Sequence, residues 1–134
     1  MDSFTLQQID VAVRASFALD TCSPDDLNEW SERSRSRGHC AVTSLVLQDF
    51  FGGELLCAEV RAHGEKFGYH WWNRLGGFDV DLTGDQFAEH EIVGEPWVTV
   101  RPEGSDHFYA EQYLLFRSRV WDRLGLSADD PLLG

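Results

Sequence analysis

The sequence is short of basic residues, of paired cysteines and of long apolar runs, and each shortage closes off a class of function. Lys and Arg number 11 against 23 Asp and Glu, for a net charge of −12. Nucleic acid and anionic membrane surfaces select basic faces, so neither is expected as a main partner. The three cysteines, Cys22, Cys40 and Cys57, are odd in number and show no CxxC spacing, which suits free thiols in a reducing compartment. No apolar stretch approaches the roughly 20 residues of a membrane span. The N-terminal stretch carries Asp2 and Asp10 without an uninterrupted apolar run, so it does not read as a signal peptide. A soluble, cytoplasmic protein is the expectation. With 134 residues, 43% of them hydrophobic and 13% aromatic, the chain suits one domain over residues 1–134, with a core that needs no disulfide or metal staple.

What is present centres on the stretch 69–83, which reads as a β-hairpin. Two β-rich runs flank Gly76-Gly77, a pair suited to the positive φ angles of a two-residue turn. That turn pairs Leu75 with Phe78, Arg74 with Asp79, Trp72 with Asp81 and His70 with Thr83. Side-chain alternation then puts His70, Trp72 and Arg74 on one face with Asp79, Asp81 and Thr83. Arg74 opposite Asp79 is a favourable charge pair, and His70 and Asp81 become diagonal neighbours within side-chain reach.

Around the hairpin the chain divides readily. Residues 4–20 have the spacing of an amphipathic helix, with Ser3 as its cap. Ser23-Pro24-Asp25-Asp26 signals the start of a short helix running to Trp30. Residues 31–38 are polar and read as an exposed loop. Its arginines Arg33, Arg35 and Arg37 are either a solvated run or a local positive potential beside the next element. Residues 40–51 are apolar on most sides and closed by Gly52-Gly53, the pattern of a buried helix with a glycine cap. Strands over 54–61 and 66–74 complete a meander with the hairpin. Residues 88–104 read as an irregular arm anchored by Trp97, with at most a short strand at 98–100. Ser105 caps a final helix over 106–124, with Tyr109, Tyr113, Phe116, Val120 and Leu124 along one face, followed by an acidic tail.

Cys40 is the one cysteine at a helix start. Backbone N–H groups and the positive end of the helix dipole then point at its sulfur, favouring the thiolate and supplying anion-binding donors. Cys22 and Cys57 read as core fillers. Together with His70 and Asp81, Cys40 completes the residue types of nucleophilic catalysis. The thiolate attacks an acyl carbon, the imidazole takes and returns the proton, and the carboxylate orients the ring.

The order of a Cys at a helix start, then His70-Trp71-Trp72-Asn73, then Asp81-Leu82-Thr83, resembles the transglutaminase-like branch of the papain-like superfamily. Trp30, Gly38 to Thr43, Gly52-Gly53, His70 to Leu75, Asp81-Leu82-Thr83 and Gln86-Phe87 resemble more closely the small bacterial YunG-like proteins, over roughly residues 28–88. The resemblance implies an α+β, papain-like fold, with an antiparallel sheet against a buried helix carrying the nucleophile and helices at its flanks. It also implies acyl transfer on a peptide, isopeptide or small amide or thioester, by hydrolysis or transfer to another acceptor, without a cofactor or metal. Many members of the superfamily place a glutamine upstream as oxyanion donor; here His39 or a loop amide would serve.

Rival readings stand beside this one. His39, Cys40, His63 and His70 are possible zinc donors, although their spacing matches no common site. Trp71 and Trp72 could be ligand platforms, with Trp71 the better core candidate. Asn73 and Thr83 could contact substrate or serve as hairpin residues, and Gln86 could reach the site. The alternative function is a non-catalytic binding or adaptor module that keeps the fold.

Overall fold

A computed structural model describes residues 4–101 and 110–127. The first helix, α1 (Leu6–Ser16), begins two residues later than its apolar spacing suggests, because Thr5 and Gln8 close a reciprocal capping box around its first turn. It also stops earlier. The chain turns extended at Phe17 and makes a short 3₁₀ turn over Leu19–Thr21. The helix expected over 24–30 is only a 3₁₀ turn, Pro24–Asp26. Its start signal is genuine, but Leu27 stays largely exposed, so no apolar stripe is buried to extend it.

Helix α2 (Cys40–Phe51) fulfils the reading of a buried helix. Val42, Thr43, Ser44, Leu45, Val46, Leu47 and Phe50 are all buried, and Gly52 closes it at φ +69°. One side packs on Ile9 and Val13 of α1 and on Phe116, Val120 and Trp121 of α3 (Ala110–Arg123). Leu45 faces the other way, against Leu55 and Trp71 of the sheet. The expected apolar face of the last helix is present at Tyr113, Phe116, Val120 and Leu124, with Gly125 ending it at φ +75°. Ser3, Ser105, Tyr109 and the acidic tail beyond Ser127 lie outside the described residues.

The sheet is antiparallel and curled, ordered β3-β2-β1 with two further strands on the far edge of β1. Strands β1 (Glu54–Ala62) and β2 (Glu65–Leu75) pair along their length, with a register shift at Val60/Arg61. Gly76 and Gly77 have φ of +57° and +86°, and the two-residue turn sets the expected register of Leu75 with Phe78 and Arg74 with Asp79. Strand β3, however, ends at Val80, so Trp72–Asp81 and His70–Thr83 are not strand pairs. The Asp81 carboxylate accepts the Thr83 amide at 3.2 Å, and this side-chain turn takes the chain out of the sheet.

The arm after residue 88 is more regular than its sequence suggests. Strands β4 (Glu91–Val93) and β5 (Trp97–Thr99) each pair with β1, at its C-terminal and N-terminal halves respectively. Each is three residues long, and both owe their form to the free edge of β1 rather than to local alternation. The molecule is thus α+β, with three α-helices among the described residues.

Candidate active site

The segment leading into α2 is held by contacts that only Gly38 permits. Gly38 has φ +74°, and a Cβ there would lie 2.4 Å from Cys22 Sγ and 2.9 Å from Asp26 Cβ. The chain then enters α2 at Cys40, where the first helical bond is made by Thr43 to the His39 carbonyl. The amides of Cys40, Ala41 and Val42 precede that bond and belong to the donor-rich helix end. Cys40 is partly exposed, whereas Cys22 and Cys57 are buried. Burial pushes the Cys22 thiol up to about 12 and the Cys57 thiol up to about 11, the neighbouring Cys40 adding to the latter. Neither buried thiol is placed to act as a nucleophile.

His70 is 1% exposed. Its Nε2 lies 2.6 Å from Asp81 Oδ2, Trp72 stacks on its face with ring centroids 5.3 Å apart, and Phe87 meets it edge-on at 4.7 Å. Nδ1 is buried without a hydrogen-bond partner, and Cys40 lies near enough to the ring to favour its charged form. Burial by itself lowers the imidazole pKa, but Asp81 and Cys40 together outweigh it and hold His70 up at about 9. The ring is therefore gripped at one nitrogen by a carboxylate, with the other unpartnered and Cys40 close by.

Asp81 sits on a turn fixed from three directions. Arg14 of α1 donates to the Leu82 carbonyl at 2.9 Å, Ser36 donates to Asp85 at 3.0 Å, and Gln86 Nε2 donates to the Thr83 carbonyl at 3.0 Å. The Gln86 side chain also accepts the Gly38 amide at 3.2 Å. One buried amide therefore joins the segment before Cys40 to the turn that carries Asp81. Nothing in the sequence distinguishes Gln86 from an exposed glutamine except its place in the YunG-like resemblance.

Of the remaining sequence candidates, His39, Trp72, Asn73 and Thr83 lie around the site and are not among the residues that line its opening. The His39 ring is fully buried between Phe17 and Phe116. Its Nδ1 donates to the Arg37 carbonyl at 2.9 Å, and Nε2 lies 2.8 Å from Thr21 Oγ1. Burial lowers its pKa to about 4, so the neutral ring accepts the Thr21 hydroxyl. With both ring nitrogens so engaged, it cannot also serve as the oxyanion donor the sequence suggested. Trp72 is buried with Leu56 and Ala58, and its indole donates to Asp79. Trp71, expected to be the core member of the pair, is the more exposed and lines the cleft. Asn73 is buried and donates to the Ser44 carbonyl at 2.9 Å, fixing β2 to α2. Thr83 is buried and acts through its backbone.

Cys40 opens on a cleft of about 390 Å³. Its lining includes Asp25, Asp26, Glu29 and Arg37 together with Phe67, Tyr69 and Trp71. Of the arginine run, Arg37 lines the cleft, and its charge is taken up by carboxylates. Arg37 is buried and forks onto both oxygens of Glu91 at 2.8 and 3.0 Å, and Arg35 donates to the Phe17 carbonyl. Among the described residues, no group of three or more His, Cys, Asp or Glu side chains is arranged to hold a metal ion, and no helix is long and apolar enough to cross a membrane.

The chain is similar to the curated protein described as "Uncharacterized protein YunG" from Bacillus subtilis (strain 168). The two are 37% identical over 60 residues, which cover 45% of this chain and 48% of that protein. The match thus spans about half the length of the relative. No solved structure matches the chain. The family described as "YunG protein" matches over residues 5–125, a span that takes in both termini of the fold as well as Cys40, His70 and Asp81; the chain belongs to the YunG family.

Proposed function

We propose that the protein is a cysteine-dependent acyl-transfer enzyme of papain-like or transglutaminase-like type, with Cys40 as nucleophile, His70 as base and then acid, and Asp81 as orienter. The observation that carries this reading is the state of His70: a buried imidazole with Nε2 on a carboxylate and Nδ1 left to a cysteine at a helix start. A histidine serving only the core would have both nitrogens satisfied, as His39 does.

The chemistry follows from that arrangement. The Cys40 proton passes to His70 Nδ1, and the sulfur attacks the carbonyl carbon of a peptide, isopeptide or small amide or thioester. The oxyanion that forms is met by the helix-start amides of Cys40 and Ala41. On collapse, Nδ1–H protonates the leaving amine or thiol, leaving a thioester on Cys40. Water or an amine then attacks that thioester, gives its proton to Nδ1, and regenerates the thiol. Asp81 stabilises the imidazolium and fixes the ring orientation. No cofactor enters these steps, and the proposed setting is the cytoplasm.

The test is alkylation by iodoacetamide near pH 7, read residue by residue by mass spectrometry. Cys40 is expected to label at least tenfold faster than Cys22 or Cys57, and His70→Ala to abolish the difference. Equal labelling of Cys40 in the wild type and in His70→Ala would overturn the catalytic reading and leave a binding module.

A further inference from the structure

His70 stands at the end of a row of side chains on one face of the hairpin. Alternation along β2 puts Arg74, Trp72 and His70 on that face, with Asp79 of β3 opposite Arg74. Contacts join them in sequence. Arg74 Nε donates to Asp79 Oδ1 at 2.9 Å, and the Trp72 indole N–H donates to Asp79 Oδ2 at 3.1 Å. Trp72 in turn lies on the His70 ring, with 24° between the planes and 5.3 Å between centroids. Both stacked rings are buried, so little water screens the charge of one from the face of the other.

An indole face is negative, and a cation within about 6 Å of its centroid is attracted where a neutral ring is only packed. The stack therefore distinguishes the two charge states of His70, which an aliphatic side chain in the same place would not do. The carboxylate on the indole N–H acts in the same direction. A donor bonded to an anion is polarised, so ionised Asp79 makes the indole face more negative. Arg74 and then Trp72 hold the Asp79 carboxyl below its usual range, which keeps it ionised. The other groups facing the imidazole are Asp81 from the turn after β3, Cys40 from α2 and the uncharged ring of Phe87. Asp81 holds one edge of the imidazole and Trp72 covers a face, so the two supports are geometrically separate.

We propose that Trp72 is a positioning residue for the acyl-transfer reaction: its face holds the His70 imidazolium, and Asp79 strengthens that hold through the indole N–H. This rests on the reading of Cys40 as nucleophile and His70 as base. In that reading the proton leaving Cys40 creates a cation in a buried site, and Asp81 meets that cation at one edge only. Trp72 meets it in every step during which Nδ1 carries the proton. The indole face that could have served a ligand is thus taken by the protein's own histidine.

The titration of His70, followed by NMR through its ring Cε1–H signal, tests the proposal. Trp72→Phe keeps an aromatic stack but weakens the face and removes the N–H, and is expected to lower the His70 midpoint by about 0.5 pH unit or more. Asp79→Asn leaves the indole in place and is expected to lower the midpoint by about 0.3 pH unit. Asp79 is exposed, so this variant leaves the core intact, and no shift in it would overturn the inference by itself. In the Trp72→Phe background the same Asp79→Asn change is expected to do less than half as much, because its route to the imidazole is gone. Equal shifts in both backgrounds would mean that Asp79 acts through space, and an unchanged midpoint in Trp72→Phe that the indole only fills space. Either result overturns the inference. The catalytic reading fails separately, if iodoacetamide labels Cys40 at the same rate in His70→Ala and in wild type.

Discussion

The side-chain carbonyl of Gln86 accepts the backbone N–H of Gly38 at 3.2 Å, so a residue on the turn after Asp81 sets the position of the segment entering α2. Its other amide atom donates to Thr83, whose own N–H is held by Asp81. The segment before Cys40 and the turn that carries Asp81 are thereby tied through one side chain.

Replacing Gln86 by Ala removes two buried hydrogen bonds and is expected to cost about 1–3 kcal/mol. It should also slow alkylation of Cys40 far more than the stability loss explains. Gln86→Glu keeps the acceptor for Gly38 but cannot donate to Thr83 while ionised. Its thermal stability relative to wild type should therefore improve as the pH is lowered and the new carboxyl protonates. Melting curves against pH, paired with Cys40 labelling rates, check both outcomes.

His70 carries a pH signature of its own. Its folded pKa, raised to about 9, exceeds the roughly 6.5 of an unfolded histidine. The stabilisation from the imidazolium is thus fully present below pH ~6.5 and is lost as the pH rises through about 9. Asp81→Asn removes the strongest support for the charge. The His70 ring protons should titrate near 9 in the wild type and distinctly lower in that variant, and the alkaline fall in melting temperature should shrink. A wild-type midpoint at or below 6.5 by NMR would contradict this.

His39 works in the opposite sense. Its folded pKa of about 4 lies below the unfolded value, so its contribution is present above pH ~6.5 and declines as the pH falls toward 4. His39→Asn can keep a donor toward the Arg37 carbonyl but loses ring packing on Phe17 and Phe116. It is expected to cost about 1–3 kcal/mol at neutral pH and to flatten stability between pH 6.5 and 4. Urea titrations across that range measure the change in slope.

The Arg37–Glu91 pair offers a third, non-titrating comparison. Both side chains are buried, and Glu91 also accepts the Ala88 amide. Glu91→Ala strands the guanidinium and is expected to cost about 3–5 kcal/mol, whereas Arg37→Met/Glu91→Leu should recover most of the loss. A double variant no more stable than Glu91→Ala would show that the pair does more than satisfy its own charges.

How far these relationships could be read from the sequence depended on how local their causes are. The turn at Gly76-Gly77 and the Arg74–Asp79 pair are set by adjacent residues, and the register followed. Helix α2 was legible because it is apolar on most sides and glycines close it. Asp81 reaches His70 as expected, though from a side-chain turn and not from a continued strand. Strands β4 and β5 depend on an edge supplied by β1 some thirty or more residues earlier, and their own alternation is weak. Arg37 looked like part of a solvated run because its partner, Glu91, lies on the far arm of the chain. The bridging role of Gln86 was equally hidden, since both of its partners are backbone groups.

The burial of α2 has a kinetic meaning. A helix apolar on most sides has no stable existence before its neighbours arrive, and those neighbours come from α1, α3 and the sheet, spread across the chain. The hairpin can close on its own short loop, but His70 can meet Cys40 only after these distant pieces have docked. The coupling of sulfur to imidazole is thus one of the last events of folding, and stopped-flow thiol labelling during refolding would use Cys40 as a clock for the arrival of the native state.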